Sequence, residues 1–243
     1  MMVREFPRLL LREKQHSWNL AGVAAAPGST ADNTSVLTRS DGGGYWTCAV
    51  SDVQLSGGRA GAIDRQRQKN ATLLWRAIRQ ISNGGATPLI VPRNDALFVP
   101  WPNGVSRGSG LNVSHEDETL FGDGSGYYQA VIDITAAEDA DLRAISMVLD
   151  INVAGELVGG EAFSIQHPTM DWRMYEIATV DMVSDTEANV TFNPPLREAV
   201  PAGTSIEFDR PRCKMRLATP SSMDLKVAPW TFNNASVNFV ESK

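Results

Sequence analysis

Three histidines offer the only side chains whose ordinary charge change falls near neutral pH. His16 lies in an N-terminal arm, and His115 sits in the run Ser114-His115-Glu116-Asp117-Glu118. His167 precedes Pro168 at an expected strand end. None falls in an HExxH, HxH or two-histidine-one-carboxylate spacing, so no zinc or non-haem iron site is specified. His115, Glu116, Asp117 and Asp123 would suit a hard divalent cation only if their ligand atoms converged, and a solvated acidic loop is the plainer reading. Asp123-Gly124-Ser125-Gly126 lacks calcium-loop spacing. There is no GxSxG elbow and no GxxxxGK[ST] phosphate loop. Gly42-Gly43-Gly44 precedes an expected strand rather than a helix, so it reads as a hairpin turn. A glycosidase would need two carboxylates across a groove, and nothing singles out such a pair. Trp18, Trp46, Trp75, Trp101, Trp172 and Trp230 are spread evenly, which suits core or interface anchors better than a sugar-stacking platform. The expectation is a protein that is not an enzyme, with no catalytic, cofactor-binding or metal-ligating residue assigned.

Cys48 and Cys213 lie far apart, without CxxC or Cys/His zinc spacing. Reduced, buried thiols and a cytosolic history are expected. No apolar run approaches the roughly 20 residues that span a bilayer. Arg4, Arg8, Arg12 and Lys14 ahead of the stretch 20–26 imitate a signal peptide. The apolar segment is short and follows Gln15, His16, Ser17 and Asn19, so secretion is not expected. The sequons at Asn33, Asn70, Asn112, Asn189 and Asn234 then carry no meaning.

The elements that must position these residues are mostly strands. One segment, 65–82, has helical periodicity: Ala71, Leu74, Trp75, Ile78 and Ile81 form one apolar stripe. Asp64 is the expected N-cap and Gly84 the expected stop. Arg65, Arg67 and Lys69 stand in the first turns, where the helix dipole disfavours cations. That mismatch suggests that these charges serve something other than the helix. Period-two alternation marks strands over 143–153, 213–218 and 223–228, with further candidates at 45–50, 87–92, 127–134, 173–180, 189–192, 204–208 and 235–240. Pro201-Ala202-Gly203-Thr204 and Gly159-Gly160 read as turns. The expected fold is mainly β: an antiparallel sandwich or barrel with one packed helix (about 65–82) and a long loop (about 100–126). The chain reads as a single domain over 1–243, with 1–99 and 100–243 as a subdivision.

Charge is unevenly distributed along the chain. Overall, 22 Lys+Arg against 28 Asp+Glu give −6. With a pI near 5.1, a dedicated nucleic-acid binder is disfavoured. Residues 1–110 carry 13 basic and 7 acidic side chains (+6), residues 111–195 carry 2 and 16 (−14), and residues 196–243 carry 7 and 5 (+2). Such segregation fits either a solvated acidic face or complementarity between copies.

The run Asn193-Pro194-Pro195-Leu196-Arg197-Glu198-Ala199-Val200-Pro201-Ala202-Gly203-Thr204, continued by Phe208-Asp209-Arg210-Pro211-Arg212-Cys213 to Met215-Arg216-Leu217-Ala218, resembles the C-terminal part of structural proteins from long-tailed bacteriophage tails. Val113-Ser114-His115-Glu116-Asp117-Glu118 to Phe121-Gly122-Asp123-Gly124 is similar to a recurrent stretch in that group. The order strand with Trp46, helix 65–82, Gly84-Gly85 and strand 87–92 resembles the ring-forming domain of distal tail proteins. The resemblance implies a β-rich ring in the virion, commonly a hexamer, between the tail tube and the tip or hub of the baseplate. Its partners would be copies of itself, the tube protein and the hub proteins, with DNA only as cargo through the lumen and no membrane insertion. The acid of 111–195 would then line the lumen or the seams between subunits. Two other readings stay open: a receptor- or carbohydrate-binding module of the tail tip, and a glycan hydrolase.

Overall fold

The computed structural model describes residues 4–8, 10–11, 13–25, 37–39, 42–56, 65–102, 111–113, 119–122, 127–129, 132–227 and 234–242. Strand makes up 44% and helix 11% of the described residues, so the fold is mainly β, as expected. The chain divides into two compact units, residues 1–93 with 212–243, and residues 94–211.

The first unit is built on a six-stranded sheet. Its strands are β1 (Arg4–Glu5), β2 (Gln15–Ala21), β5 (Tyr45–Gln54), β6 (Leu89–Pro92), β14 (Arg212–Leu217) and β15 (Asn234–Glu241), in the order β1-β6-β14-β15-β5-β2. A small ribbon pairs β3 (Ala24–Ala25) with β4 (Thr38–Arg39). Only β1 with β6 is parallel; the other sheet pairs are antiparallel. Alternation decides the buried face: Trp46, Cys48 and Val50 from β5, Cys213, Met215 and Leu217 from β14, and Val237 and Phe239 from β15. Phe6 meets Phe239 edge-on at 5.3 Å between ring centroids. The glycine run precedes a strand as expected, with Gly43 and Gly44 both at positive φ directly before β5, but it does not turn a hairpin, because β4 before it pairs with β3 and β5 pairs with β2 and β15. A Cβ on Gly44 would stand 2.5 Å from the Ala21 carbonyl oxygen, so the backbones approach too closely for a side chain there.

Helix α1 (Arg65–Ser82) occupies the span that the periodicity marks. Ala71, Trp75, Ile78 and Ser82 are its buried residues. The Trp75 indole N–H donates to the Met223 carbonyl at 3.0 Å, and the Ser82 hydroxyl donates to the Ile78 carbonyl at 2.7 Å. The helix stops where Asn83 and Gly84 turn left-handed, at φ 45° and 62°. The Asp64 cap lies outside the described residues.

One strand expectation is overturned. Within 223–228, the described residues 223–227 are turn and irregular chain. Hydrogen bonds from Ser222 N to Thr219 O and from Asp224 N to Ser221 O, with the Ser222 hydroxyl accepting from Thr219 N, bend the segment. Met223 is buried below Trp75 and Ser82, while Leu225 and Val227 do not share its burial.

The second unit holds β7 (Leu111–Val113), β8 (Tyr127–Gln129), β9 (Asp133–Ala136), β10 (Ser146–Val153), β11 (Ala162–His167), β12 (Asp171–Met182) and β13 (Glu187–Asn193). β7 pairs with β8, so the long segment 100–126 carries one arm of a two-stranded ribbon. The other five strands form one antiparallel sheet in the order β11-β12-β13-β10-β9. Residues 203–207 bridge both of its edges. Thr135 of β9 bridges Ser205, and Ser164 of β11 bridges Glu207 with 2.9 Å bonds in both directions. Ile206 N donates to Ile134 O at 2.9 Å. The sequence-expected strand at 204–208 is this closing segment. It covers edges that would otherwise invite a foreign strand. Inside lie Ile134, Leu149, Phe163, Tyr175, Val190, Phe192, Ile206 and Phe208.

Candidate assembly surfaces

The residues that drew attention for their chemistry are dispersed. His115, Glu116, Asp117 and Asp123 lie outside the described residues. Among the described residues, no three His, Cys, Asp or Glu side chains converge as a metal site. Cys48 and Cys213 are buried thiols that form no disulfide, as expected. Burial pushes the Cys48 thiol up to about 12; Arg8 and Arg93 pull it down and Glu13 raises it. A thiol held protonated in this way is a poor nucleophile. Trp46, Trp75 and Trp101 are buried, and Trp101 donates to the Ala96 carbonyl at 2.8 Å. Trp18 and Trp172 are half-buried, and Trp230 lies outside the described residues.

His16 stands on β2, with Nδ1 3.2 Å from Arg8 Nη2. Arginine only donates, so Nδ1 is the acceptor there. The same guanidinium bonds the Glu13 carboxylate and the Pro92 carbonyl, tying the N-terminal segment to β6.

His167 ends β11 and is 3% exposed. Its Nε2 lies 2.8 Å from the Tyr175 hydroxyl, which also accepts the Arg197 backbone N–H at 3.1 Å. Burial lowers its pKa to about 4; Glu198 opposes this and Arg173 adds to it. A neutral ring accepting the Tyr175 proton fits that shift. Desolvation disfavours Glu198 as an anion, but the Met170 and Thr169 N–H groups, the Thr169 hydroxyl and His167 together hold it below the usual carboxylate range. Sequence reasoning placed His167 at a strand end but could not find this cluster, whose members come from three separate segments.

Protonating His167 should destabilise the fold. The unfolded histidine binds its proton near pH 6.5 and the folded one only near 4, so stability is full above about 6.5 and falls as pH drops to 4. At about 1.4 kcal/mol for each pH unit between the two values, the loss reaches at most about 3 kcal/mol. Urea unfolding from pH 7.5 to 4.5 should show this loss, and His167→Gln should flatten it.

Exposed features are more specific than these interior groups. The unit of residues 1–93 and 212–243 carries 17 Lys+Arg and 8 Asp+Glu, a net +9. The unit of residues 94–211 carries 5 and 20, a net −15. The structural division therefore sharpens the charge segregation seen along the sequence.

The basic unit presents α1, which carries five cations (Arg65, Arg67, Lys69, Arg76, Arg79) and no acidic residue of its own; Arg79 Nη1 lies 3.8 Å from the Asp224 carboxylate. Lys69, Leu73 and Arg76 share the face opposite Trp75, and Leu73 is 51% exposed. The acidic unit presents the turn between β12 and β13. Met182 and Val183 are 55% and 61% exposed there, flanked by exposed Asp181 and Asp185. The turn is closed by Val183 and Ser184 N–H groups donating to the Glu187 carbonyl at 2.8 and 3.1 Å. Glu187 stands directly opposite Asp150 in the β10–β13 register.

Two carboxylates facing each other across a strand pair repel. Asp150→Thr should therefore raise stability by about 0.5 kcal/mol, read as a higher urea midpoint at low salt, with the gain shrinking as salt is added. Retaining such a pair at an exposed tip points to a use outside the folded subunit.

A third surface is a shallow groove of about 420 Å³ on the outward face of the six-stranded sheet, lined by Ser17, Asn19, Tyr45, Thr47, Arg216 and Asn238 among others. The chain matches no family model and no curated protein.

Proposed function

We propose that this chain is a structural protein of a bacteriophage tail: a distal-tail-type ring, commonly a hexamer, that joins the tail tube to the tip or hub and leaves a lumen for DNA. The observation that carries this reading is the partition of charge between two β-rich units, +9 and −15. A chain with a basic part and an acidic part offers each neighbour a complementary partner, which suits a head-to-tail contact between copies. The sequence resemblance to tail proteins adds the biological setting. Carboxylates facing a lumen would repel the phosphate backbone, so that DNA passes without sticking. In this reading the chain performs no chemistry, and its partners are its own copies, the tube protein above and the hub proteins below. Light scattering tests it directly. A mass of several chains is expected at micromolar concentration, and a mass of one chain at every concentration would overturn it.

The groove of the six-stranded sheet favours one second reading, a carbohydrate-binding module of the tail tip. Its amide and hydroxyl groups could bond sugar hydroxyls beside Tyr45, which is 40% exposed. Binding on a glycan array that is lost on Asn19→Ala and Tyr45→Ala would favour this reading over the ring.

A further inference from the structure

The ring reading leaves open which surfaces hold neighbours together. We propose that the outer face of α1 on one copy receives the β12–β13 turn of the next copy. This inference rests on the ring reading and names its seam.

Both surfaces share one layout, an apolar centre flanked by charge of a single sign. On α1 the centre is Leu73, between Lys69 and Arg76 one turn away on either side. On the turn the centre is Met182 and Val183, between Asp181 and Asp185, with Asp150 and Glu187 behind them. Exposed apolar side chains of this size gain by leaving water, and charges around them fix the partner and its register. A rim of charge around a small apolar core is the usual anatomy of a protein interface.

Two features that cost the isolated subunit are accounted for by this contact. Cations in the first turns of α1 oppose its dipole, and the helix holds no acidic residue of its own. Asp150 and Glu187 face each other across adjacent strands. Each like-charge group is relieved when the other arrives. A helix with five cations is also a surface for polyphosphate, but the same chain supplies a matching acidic, apolar-centred turn. That match favours a second copy over DNA.

The contact is heterologous, because α1 and the turn are different parts of the chain. It therefore propagates from copy to copy, as a ring where the rotation closes and as an open filament where it does not, or closes reciprocally as a dimer.

The test uses the full chain with two double reversals, Lys69→Glu with Arg76→Glu, and Asp181→Lys with Asp185→Lys. All four residues are exposed, so circular dichroism and the melting midpoint should stay near wild type. Sedimentation should show each variant alone assembling at least about tenfold more weakly than wild type. Mixing the two should restore assembly, because each then finds a partner of opposite charge, and the quadruple variant should assemble alone. Raising salt should weaken wild-type assembly.

Wild-type rings that persist unchanged in both variants would overturn this seam and leave the ring reading intact. Restored pairing that stops at a dimer would support the seam and overturn the ring. A wild-type chain that stays monomeric, with the α1 reversal changing only binding to duplex DNA, would overturn both.

Discussion

Phe163→Ala should cost the acidic unit about 3–5 kcal/mol, the range for truncating a buried aromatic. Phe163 is 0% exposed, and three other rings surround it. Tyr175 stacks at 5.4 Å, Phe192 meets it edge-on at 5.6 Å, and Phe208 lies tilted at 5.4 Å. These rings come from β12, from β13 and from the chain just after the closing segment 203–207, while Phe163 itself sits on β11. Removing it leaves a cavity where the two edges of the five-stranded sheet are joined. The expected result is a lower urea midpoint and faster amide exchange at Ser164 and Glu207, whose mutual bonds close the edge. Phe163→Leu retains most of the volume and should cost under about 1.5 kcal/mol. Equal losses for Leu and Ala would mean that ring stacking, rather than cavity formation, dominates.

Trp75→Ala should produce a loss of similar size, about 3–5 kcal/mol, in the basic unit. Trp75 is 0% exposed and is the largest fully buried side chain of the protein's described residues. Its indole also satisfies the Met223 carbonyl, so truncation adds an unpaired acceptor to the cavity. Trp75→Phe fills part of the space but cannot donate. It should fall between wild type and alanine, and the gap from wild type measures the bond together with the lost ring. Because α1 also carries the proposed seam, Trp75→Ala should weaken assembly as well as folding, whereas the surface reversals should weaken assembly alone.

Much of this architecture was legible in local pattern. The stripe Ala71, Trp75 and Ile78 repeats at the helical period, and the helix runs over the expected span because packing and periodicity agree. Alternation at Cys213, Met215 and Leu217 likewise marks β14, a strand buried on one face. Strand β11 escaped detection for a physical reason. Ser164, between the core residues Phe163 and Ile165, is itself 0% exposed, so the strand shows no clean inside-outside alternation. Conversely, Met223, Leu225 and Val227 alternate but follow a hydroxyl-rich bend, and the local side-chain bonds win over the strand pattern.

The candidate surfaces were legible only as charge. The unusual cations of α1 and the acidic middle third stood out in the sequence. Nothing local placed Asp150 opposite Glu187, or Met182 and Val183 at an exposed turn, because strand register depends on pairing between distant segments. The joining of β14 and β15 to strands from the first 93 residues is non-local in the same way. It is also what turns regional charges of +6, −14 and +2 into two units of +9 and −15.

The central claim is that copies of this chain close into a ring around a passage for DNA. Electron micrographs of the purified chain, averaged in projection, test it most directly. The account predicts closed rings with a central opening wide enough for duplex DNA, which disperse as salt is raised. Single particles of one chain, or open filaments without a lumen, would contradict it.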